Sequence, residues 1–260
     1  DDEQILENVL DMKDGGFKYQ RINVGLSQKG NNDLAERLFY TGRKRNKSDI
    51  NILIGKDINQ GGFVRSPKED KYLVGNYASV LRDNELVYYN KELMRAPTKL
   101  IWRQTAPYFI GCILEGNTWF GNTIQGGIVK EKYAKTISPL YLLGLLNSKF
   151  IRALYTNAVK ETGRVFPQVK LEKLRPLPIK IVDKKIQLPI ISIVEKIISK
   201  KKDNSDTSGL ERQLNGMVYK LYELTDEEIA VIEGKPETSK RWNILKSCLN
   251  WKTIGAMKRN

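Results

Sequence analysis

The spacing of apolar residues changes character about halfway along the chain. Up to Val129, short apolar runs separated by turn-forming residues predict β-strands, because alternate side chains of a strand face opposite sides of a sheet. The predicted strands are Phe17–Leu26, Ile50–Ile54, Tyr72–Val74, Leu86–Tyr89, Leu100–Arg103, Tyr108–Leu114 and Thr123–Val129. A short helix is predicted over residues 2–10, and a turn over residues 28–33, where Gly and Asn tolerate positive φ.

The first long helix is predicted to begin at Ser138. Ser can cap a helix and Pro139 suits its first turn, while apolar residues from Tyr141 to Phe150 give it one apolar face. The segment Val165–Ile181 contains three prolines, which exclude a regular helix, so an extended chain is predicted there.

The remaining third of the chain has helical spacing throughout. Helices are predicted over residues 186–200, 208–223 and 226–233. The last of them opens with a capping box that starts at Thr225. The whole pattern predicts a mixed α+β fold, with a β-rich domain over residues 1–180 and a helical tail over residues 181–260.

Composition excludes several kinds of chemistry. The 260 residues include no histidine, so Ser-His-Asp and Cys-His triads, histidine-ligated metal hydrolysis and phosphohistidine chemistry are excluded. Two cysteines, Cys112 and Cys248, can form neither an all-cysteine zinc cluster nor a disulfide framework. This cysteine usage suits a cytoplasmic protein. No signal peptide and no apolar stretch of membrane-spanning length is recognisable, so no membrane association is expected.

The positive charge is concentrated in one part of the chain. The net charge is +14, and residues 15–180 alone hold 28 Lys and Arg against 13 Asp and Glu. Such a surface attracts a polyanion and binds it less tightly as salt rises, because counterions are released on binding. Nucleic acid is therefore the expected partner, with a merely soluble basic domain as the alternative.

Basic and polar residues that could contact nucleic acid occur in several places. The loop after Tyr40 suits backbone phosphates, which position a protein without reading sequence. Residues 103–105 end an apolar strand, and Arg and Gln can read guanine and adenine edges bidentately. The candidate contact residues are Arg43, Lys44, Arg45, Lys47, Lys56, Arg103, Gln104, Thr105, Lys160, Arg164 and Gln168. For both places an ordinary solvated loop or strand end remains the alternative.

A metal-dependent nuclease is a further alternative. Asp57, followed by Glu69 and Lys71, fits loosely the carboxylate and lysine pattern that holds Mg²⁺ beside a scissile phosphate. Such short patterns often match by chance. Glycine-rich motifs for dinucleotides or nucleoside triphosphates are absent from the sequence.

Five segments, in this order, resemble the TaqI-like C-terminal specificity domains and tail helices of type IIG restriction–modification proteins. They are Leu53-Ile54-Gly55-Lys56-Asp57-Ile58, Leu100-Ile101-Trp102-Arg103-Gln104-Thr105, Tyr141-Leu142-Leu143-Gly144-Leu145-Leu146-Asn147-Ser148-Lys149, the stretch from Phe166 to Ile179, and the stretch from Leu210 to Ile229. Each segment is short, and the specificity of the resemblance comes from their order.

The resemblance implies a target-recognition domain that binds double-stranded DNA, reads base edges in the major groove and presents an adenine for N6 methylation. In this family the catalytic domain carries an Asn/Asp-Pro-Pro-Tyr/Phe motif, and no Pro-Pro pair occurs here. The chain also does not begin with Met. It is therefore expected to be a segment without a catalytic centre or cofactor of its own. S-adenosylmethionine is expected in an upstream methyltransferase domain of the same parent chain, and Mg²⁺ is expected in the missing domains if the parent also cleaves DNA.

Two other readings stay open at this stage. One is a specificity subunit resembling those of type I systems, which usually join two recognition domains by long helices. The other is a structural basic domain that binds a protein partner through the helices of residues 186–223.

Overall fold

A computed structural model describes residues 4–24, 30–159 and 167–234. Its strands are β1 (Leu10–Lys13), β2 (Lys18–Arg21), β3 (Phe39–Thr41), β4 (Ile50–Leu53), β5 (Lys71–Leu73), β6 (Glu85–Tyr88), β7 (Thr98–Arg103), β8 (Gly111–Glu115), β9 (Trp119–Phe120) and β10 (Ile124–Val129). Its helices are α1 (Leu6–Val9), α2 (Asn32–Leu38), α3 (Lys91–Arg95), α4 (Pro139–Asn147), α5 (Lys149–Val159), α6 (Leu171–Leu174), α7 (Lys184–Lys202), α8 (Ser208–Leu221) and α9 (Asp226–Ile232). The predicted mixed α+β class is confirmed.

The strands form small sheets with mainly antiparallel pairing. One sheet has the order β1-β10-β7-β8, a second pairs β2 with β6, and a third has the order β3-β5-β4-β9. Within the third sheet, β4 pairs antiparallel with β5 and parallel with β9. The mixed pairing joins residues far apart in sequence, which local patterns cannot specify.

The chain divides into two compact units. One contains residues 12–106 and 110–128 and carries most of the strands, and the other contains residues 1–11, 107–109 and 129–260 and carries the long helices. Apart from residues 1–11 and 107–109, the boundary between the two compact units therefore falls after residue 128. The predicted division into a recognition domain up to residue 180 and a tail beyond it concerns function, and it stays a prediction.

Most predicted strands are present, with ends that move by one to three residues. The strand predicted within Phe17–Leu26 is shorter, because β2 ends at Arg21 and Ile22 to Val24 form a turn. Residues 25–29 lie outside the described part of the chain. The predicted turn over residues 28–33 is corrected at its end, where α2 begins at Asn32. The apolar residues Leu34 and Leu38 of α2 are buried, and this pair was too short a pattern to recognise.

The helices also differ from the prediction in three places. The helix expected over residues 2–10 is confined to α1, because Leu10 already starts β1. The helix that starts at Ser138 ends at Asn147, and α5 begins two residues later after the Ser148 cap. The segment expected to be extended contains the single turn α6, and its part before Pro167 lies outside the described residues.

The helical unit packs around α4. Ser138 accepts a hydrogen bond from the Leu140 N–H, as predicted for its cap. A Cβ added at Gly144 would lie 2.8 Å from a methyl group of Val194, so only glycine lets α4 and α7 approach this closely. The Thr225 capping box is also confirmed, since Thr225 and Glu228 each bond the other's backbone N–H. Among the described helices, none is long and apolar enough to span a membrane.

A buried lysine gives the strand-rich unit a pH-dependent stability. The Lys99 ammonium is fully buried and donates to the carbonyl oxygens of Met94, at 2.9 Å, and Ala96, at 3.0 Å. Burial lowers its pKa from 10.5 to about 8. The unfolded chain therefore binds more protons between these two pH values, and the free energy of unfolding rises with pH across this window.

We expect Lys99→Met to remove most of this rise. The variant loses the ammonium that satisfies the two carbonyls, so at pH 7 it is expected to be less stable by about 1–3 kcal/mol. Urea unfolding of both proteins from pH 7.5 to 10.5 measures the difference. An identical pH profile for the two proteins would show that Lys99 does not titrate in this window.

Candidate functional site

The turn after β4 places a lysine at the edge of a pocket. Asp57 is buried, and its carboxylate accepts the Ile54 N–H at 2.8 Å, which closes the turn over Gly55–Asp57. The Gly55 N–H donates to the Thr123 hydroxyl at 2.8 Å, and a Cβ at this position would lie 2.9 Å from the Thr123 carbonyl oxygen. Lys56, between the two anchored residues, is exposed.

The end of β7 supplies a guanidinium to the same pocket. Leu100, Ile101 and Trp102 are fully buried, so the strand is fixed in the core up to the residue before Arg103. The Arg103 side chain donates through Nε (3.1 Å) and Nη2 to the carbonyl oxygen of Ile58. Arg103 is therefore held in place by the same turn that presents Lys56.

A pocket of about 430 Å³ lies over these residues in the strand-rich unit. We call it the cationic pocket, and its polar lining includes Lys56, Lys71, Arg103, Thr105, Asn122 and Thr123. Its aromatic lining comes from Phe17, Tyr19 and Phe39. None of the lining residues carries a carboxylate. Three cations thus line a pocket without an anion among its walls.

Lys71 is the cation of this pocket that lies against an aromatic ring. It lies on β5, and its ammonium sits 4.5 Å from the centroid of the Phe39 ring. Burial lowers its pKa, and the neighbouring charge of Lys56 lowers it further. Both effects oppose a positive charge at this point, so an anion entering the pocket would relieve them.

The basic loop, residues 43–47, is pinned by a buried carboxylate. Asp49 accepts hydrogen bonds from the Tyr40 hydroxyl, at 2.5 Å, and from the backbone N–H groups of Asn46 and Gly75, both at 2.9 Å. The bond from Tyr40 contributes most to holding the pKa of Asp49 below its usual value. The four cations of this loop are exposed on a loop with a fixed base.

A row of aromatic and polar side chains extends from the basic loop across the third sheet. It lies on the face opposite to the one that carries Lys71. The Arg45 guanidinium lies 4.2 Å from the centroid of the Tyr40 ring, and Tyr40 stacks on Tyr72 with centroids 5.4 Å apart. Tyr72 pairs with Asn51, whose amide oxygen accepts from Arg65 at 3.4 Å. The third sheet therefore carries cations on both of its faces.

Comparison with known families decides the class of the chain. A family model described as the TaqI-like C-terminal specificity domain matches residues 50–179, which is half of the chain. The chain belongs to this family. It is a DNA sequence-recognition domain of the kind found in restriction–modification systems. A comparison with curated proteins finds no match.

Three solved structures can be aligned with this specificity domain. The HsdS subunit from Thermoanaerobacter tengcongensis has a TM-score of 0.41 and 18% identity, over 86% of this chain and 50% of its own. The Type IIL restriction–modification enzyme MmeI, in complex with DNA, has a TM-score of 0.45 and 9% identity, over 94% of this chain and 35% of its own. A structure of a type I R-M system has a TM-score of 0.39 and 15% identity, over 88% of this chain and 52% of its own. The specificity domain spans about half or less of these chains.

The structure brings together only some of the predicted contact residues. Lys56, Arg103 and Thr105 line the cationic pocket, and the basic loop joins β3 to β4 of the third sheet. Gln104 follows Arg103 and is anchored by its N–H to the Thr123 carbonyl oxygen at 2.9 Å. Gln168 is exposed in the helical unit. Lys160 and Arg164 lie outside the described residues, and for all eleven residues DNA contact stays a prediction.

Sequence reasoning missed several residues of this site. Tyr40, Tyr72, Asn51 and Arg65 were not singled out, and Lys71 was noted only for a possible nuclease. Their common feature is the register of β3, β5 and β4, which sets Tyr40, Tyr72 and Asn51 side by side. The alternation within each strand was the only available signal, and it does not say which strands are neighbours.

The nuclease alternative finds no support in the geometry. Asp57 uses its carboxylate to close its own turn, whereas Glu69 is exposed. In the part of the chain that the structure describes, no group of three or more acidic or cysteine side chains could share a metal ion. Lys71 instead lies in the cationic pocket with Lys56 and Arg103.

Proposed function

We propose that this specificity domain holds double-stranded DNA through the strand-rich unit and positions a target adenine for an adenine-N6 methyltransferase domain of the same parent chain. The observation that carries the proposal is the sheet β3-β5-β4, which lies largely within the matched segment and has cations on both faces. Lys71 and Lys56 lie in the cationic pocket on one face, and Arg45 and Arg65 contact Tyr40 and Asn51 on the other face.

The basic loop and the pair of Asn51 and Arg65 suit different tasks. The exposed side chains of the basic loop suit backbone phosphates, which fix the position of the protein along the duplex. Asn51 and Arg65 are suited to base edges, because amide and guanidinium groups can form paired hydrogen bonds with adenine and guanine. S-adenosylmethionine, and Mg²⁺ if the parent also cleaves DNA, would be bound by the upstream domains.

We expect Lys44→Ala to weaken binding of specific and random duplexes by the same factor, whereas Arg65→Ala, which removes a guanidinium suited to base edges, lowers the ratio between them. Loss of the phosphate contact of Lys44 should also reduce the slope of log K against log salt by about 0.9. Fluorescence anisotropy at several salt concentrations, on a duplex containing the methylation site of the parent and on a scrambled duplex, measures both effects. Both variants are compared at a temperature where circular dichroism shows them folded.

Binding that is absent, or insensitive to salt, would contradict the proposed function. The type I alternative differs in where the methyltransferase lies. An Asn-Pro-Pro-Tyr motif upstream in the same open reading frame would support the single-chain proposal, and a separate methyltransferase polypeptide that copurifies with this chain would favour the type I arrangement.

A further inference from the structure

The cationic pocket has features that a surface for duplex phosphates does not need. Its volume of about 430 Å³ lies within the range of small-molecule sites, about 300–1,000 Å³. A phosphate group is only a few times larger than a water molecule, which occupies about 30 Å³ in the liquid. A phosphate on the three cations would therefore leave most of the pocket unfilled.

The rest of the pocket is walled by aromatic rings that support one another. The Phe17 and Phe39 rings meet edge to face with centroids 5.9 Å apart, and Tyr19 lies against Phe39 at 5.4 Å. Phe17 is almost fully buried and Tyr19 half-buried, so this corner is fixed before any ligand arrives. Aromatic side chains can stack on a nucleobase whatever its identity, because every base has a π-face.

The cations lie beside this aromatic corner, and no carboxylate lines the pocket with them. The charge of Asp57 is the smallest of the three influences on the pKa of Lys71, and the Asp57 carboxylate is engaged by the Ile54 N–H. A guanidinium has five donors, of which the Ile58 carbonyl engages two on Arg103. The hydroxyl and amide groups of Thr105, Asn122 and Thr123 complete the polar lining.

Phosphate-binding cations, polar hydrogen-bonding groups and an aromatic corner in one concave site match the parts of a nucleotide. We propose that the cationic pocket receives a single nucleotide that has left the base stack of bound DNA, with its phosphate on Lys56, Lys71 and Arg103 and its sugar and base against Tyr19 and Phe39. This inference rests on the proposed function, because the nucleotide comes from DNA that the strand-rich unit holds. A paired nucleotide cannot enter, because its base stays stacked inside the duplex.

The pocket can be tested with mononucleotides alone. At a concentration about tenfold above its Kd, a 2′-deoxynucleoside 5′-monophosphate is expected to raise the unfolding midpoint of the full chain by roughly 3–6 °C. Inorganic phosphate and the matching nucleoside, at the same ionic strength, should each bind at least tenfold more weakly. Equal binding of phosphate and nucleotide would overturn the nucleotide assignment, and so would the absence of any shift.

Variants tie the effect to the pocket. Lys71→Met and the exposed substitution Lys56→Gln are each expected to weaken nucleotide binding by about tenfold, as the loss of one charged contact would. The matched control is Lys91→Gln, which removes an exposed lysine outside the pocket and should bind the nucleotide like the parent. Should Lys71→Met fail to fold, Lys56→Gln alone decides. Equal weakening in the control would assign the effect to net charge and refute the pocket.

A second measurement uses DNA. A duplex with one unpaired, bulged nucleotide should bind about tenfold to a hundredfold more tightly than the fully paired duplex, because the cost of unstacking is reduced. Lys56→Gln should lose most of this preference. If the chain binds both duplexes equally and salt-dependently, the proposed function stands and the pocket inference fails. If neither duplex binds, the proposed function fails. The pocket inference then fails too, because no bound DNA supplies the nucleotide.

Discussion

Replacing Glu85 by glutamine is expected to lower the free energy of unfolding by about 3–5 kcal/mol at pH 7. The Glu85 side chain is fully buried in the strand-rich unit and accepts from the Arg37 guanidinium at 2.5 Å and from Arg21 at 3.0 Å. Its other oxygen accepts the Arg82 N–H at 2.9 Å. Loss of this carboxylate leaves two partly buried guanidinium groups with only the half-exposed Asp33 as a shared counter-charge.

The Glu85 network also has a defined acid dependence. The hydrogen bond from Arg37 contributes most to lowering the pKa of Glu85 from 4.5 to about 2. Between these pH values the unfolded chain binds the extra proton, so the contribution of Glu85 is full above pH 4.5 and is lost as the pH falls toward 2. Glu85→Gln is therefore expected to show a weaker loss of stability on acidification than the parent.

Urea unfolding at pH 7 and at several points between pH 5 and 2.5 measures both effects. Asp33→Asn is the matched control, because Asp33 contacts Arg21 and Arg37 from a half-exposed position and its loss should cost far less. An equal loss of stability in the two variants, or a Glu85→Gln profile parallel to that of the parent, would contradict the central role of Glu85.

Removal of all four cations of the basic loop is expected to weaken duplex binding by about 10²-fold, at roughly 0.7 kcal/mol per phosphate contact. The variant replaces Arg43, Lys44, Arg45 and Lys47 by alanine. If each cation meets one phosphate, the slope of log K against log salt should fall by about 3.6. The fold should survive, because Asp49 and Tyr40, which pin the loop, are retained.

The matched control removes the same net charge from the helical unit. It replaces four exposed lysines, Lys184, Lys185, Lys196 and Lys202, by alanine. Anisotropy titrations from 50 to 300 mM salt compare both variants with the parent. A slope that falls equally in the two variants would mean that net charge alone attracts DNA and that the basic loop makes no particular contact.

The features that the sequence predicts correctly depend on residues close together in the chain. The Ser138 cap, the Thr225 capping box and the strand that runs through Trp102 were all predicted, because each depends on residues within one turn or one strand. The end of the first long helix at Asn147 was not predicted. Its apolar face continues to Phe150, whereas the break depends on Ser148, which bonds back to the Leu145 carbonyl oxygen.

The same distinction applies to the site. The basic loop could be found from sequence because four cations lie within five residues. Lys71 could not be joined to Arg103, since 31 residues of chain lie between them and nothing local connects β5 with β7. Asp57 was a possible metal ligand only in the nuclease alternative, and a sequence does not show that its carboxylate closes a turn through the Ile54 N–H.

The sequence by itself determined the class of this protein: a basic, histidine-free, mixed α+β specificity domain, with most strands and capped helices near their observed positions. The charge and the lack of histidine follow from composition, and the strands and caps follow from contacts between near neighbours in the chain. The specificity-domain class follows from the five segments that resemble that family. Only the tertiary structure decided that Lys56, Lys71 and Arg103 share one pocket and that Tyr40, Tyr72 and Asn51 share one face. Strand register and burial are set by contacts between distant segments, whose free energy depends on the whole packed unit.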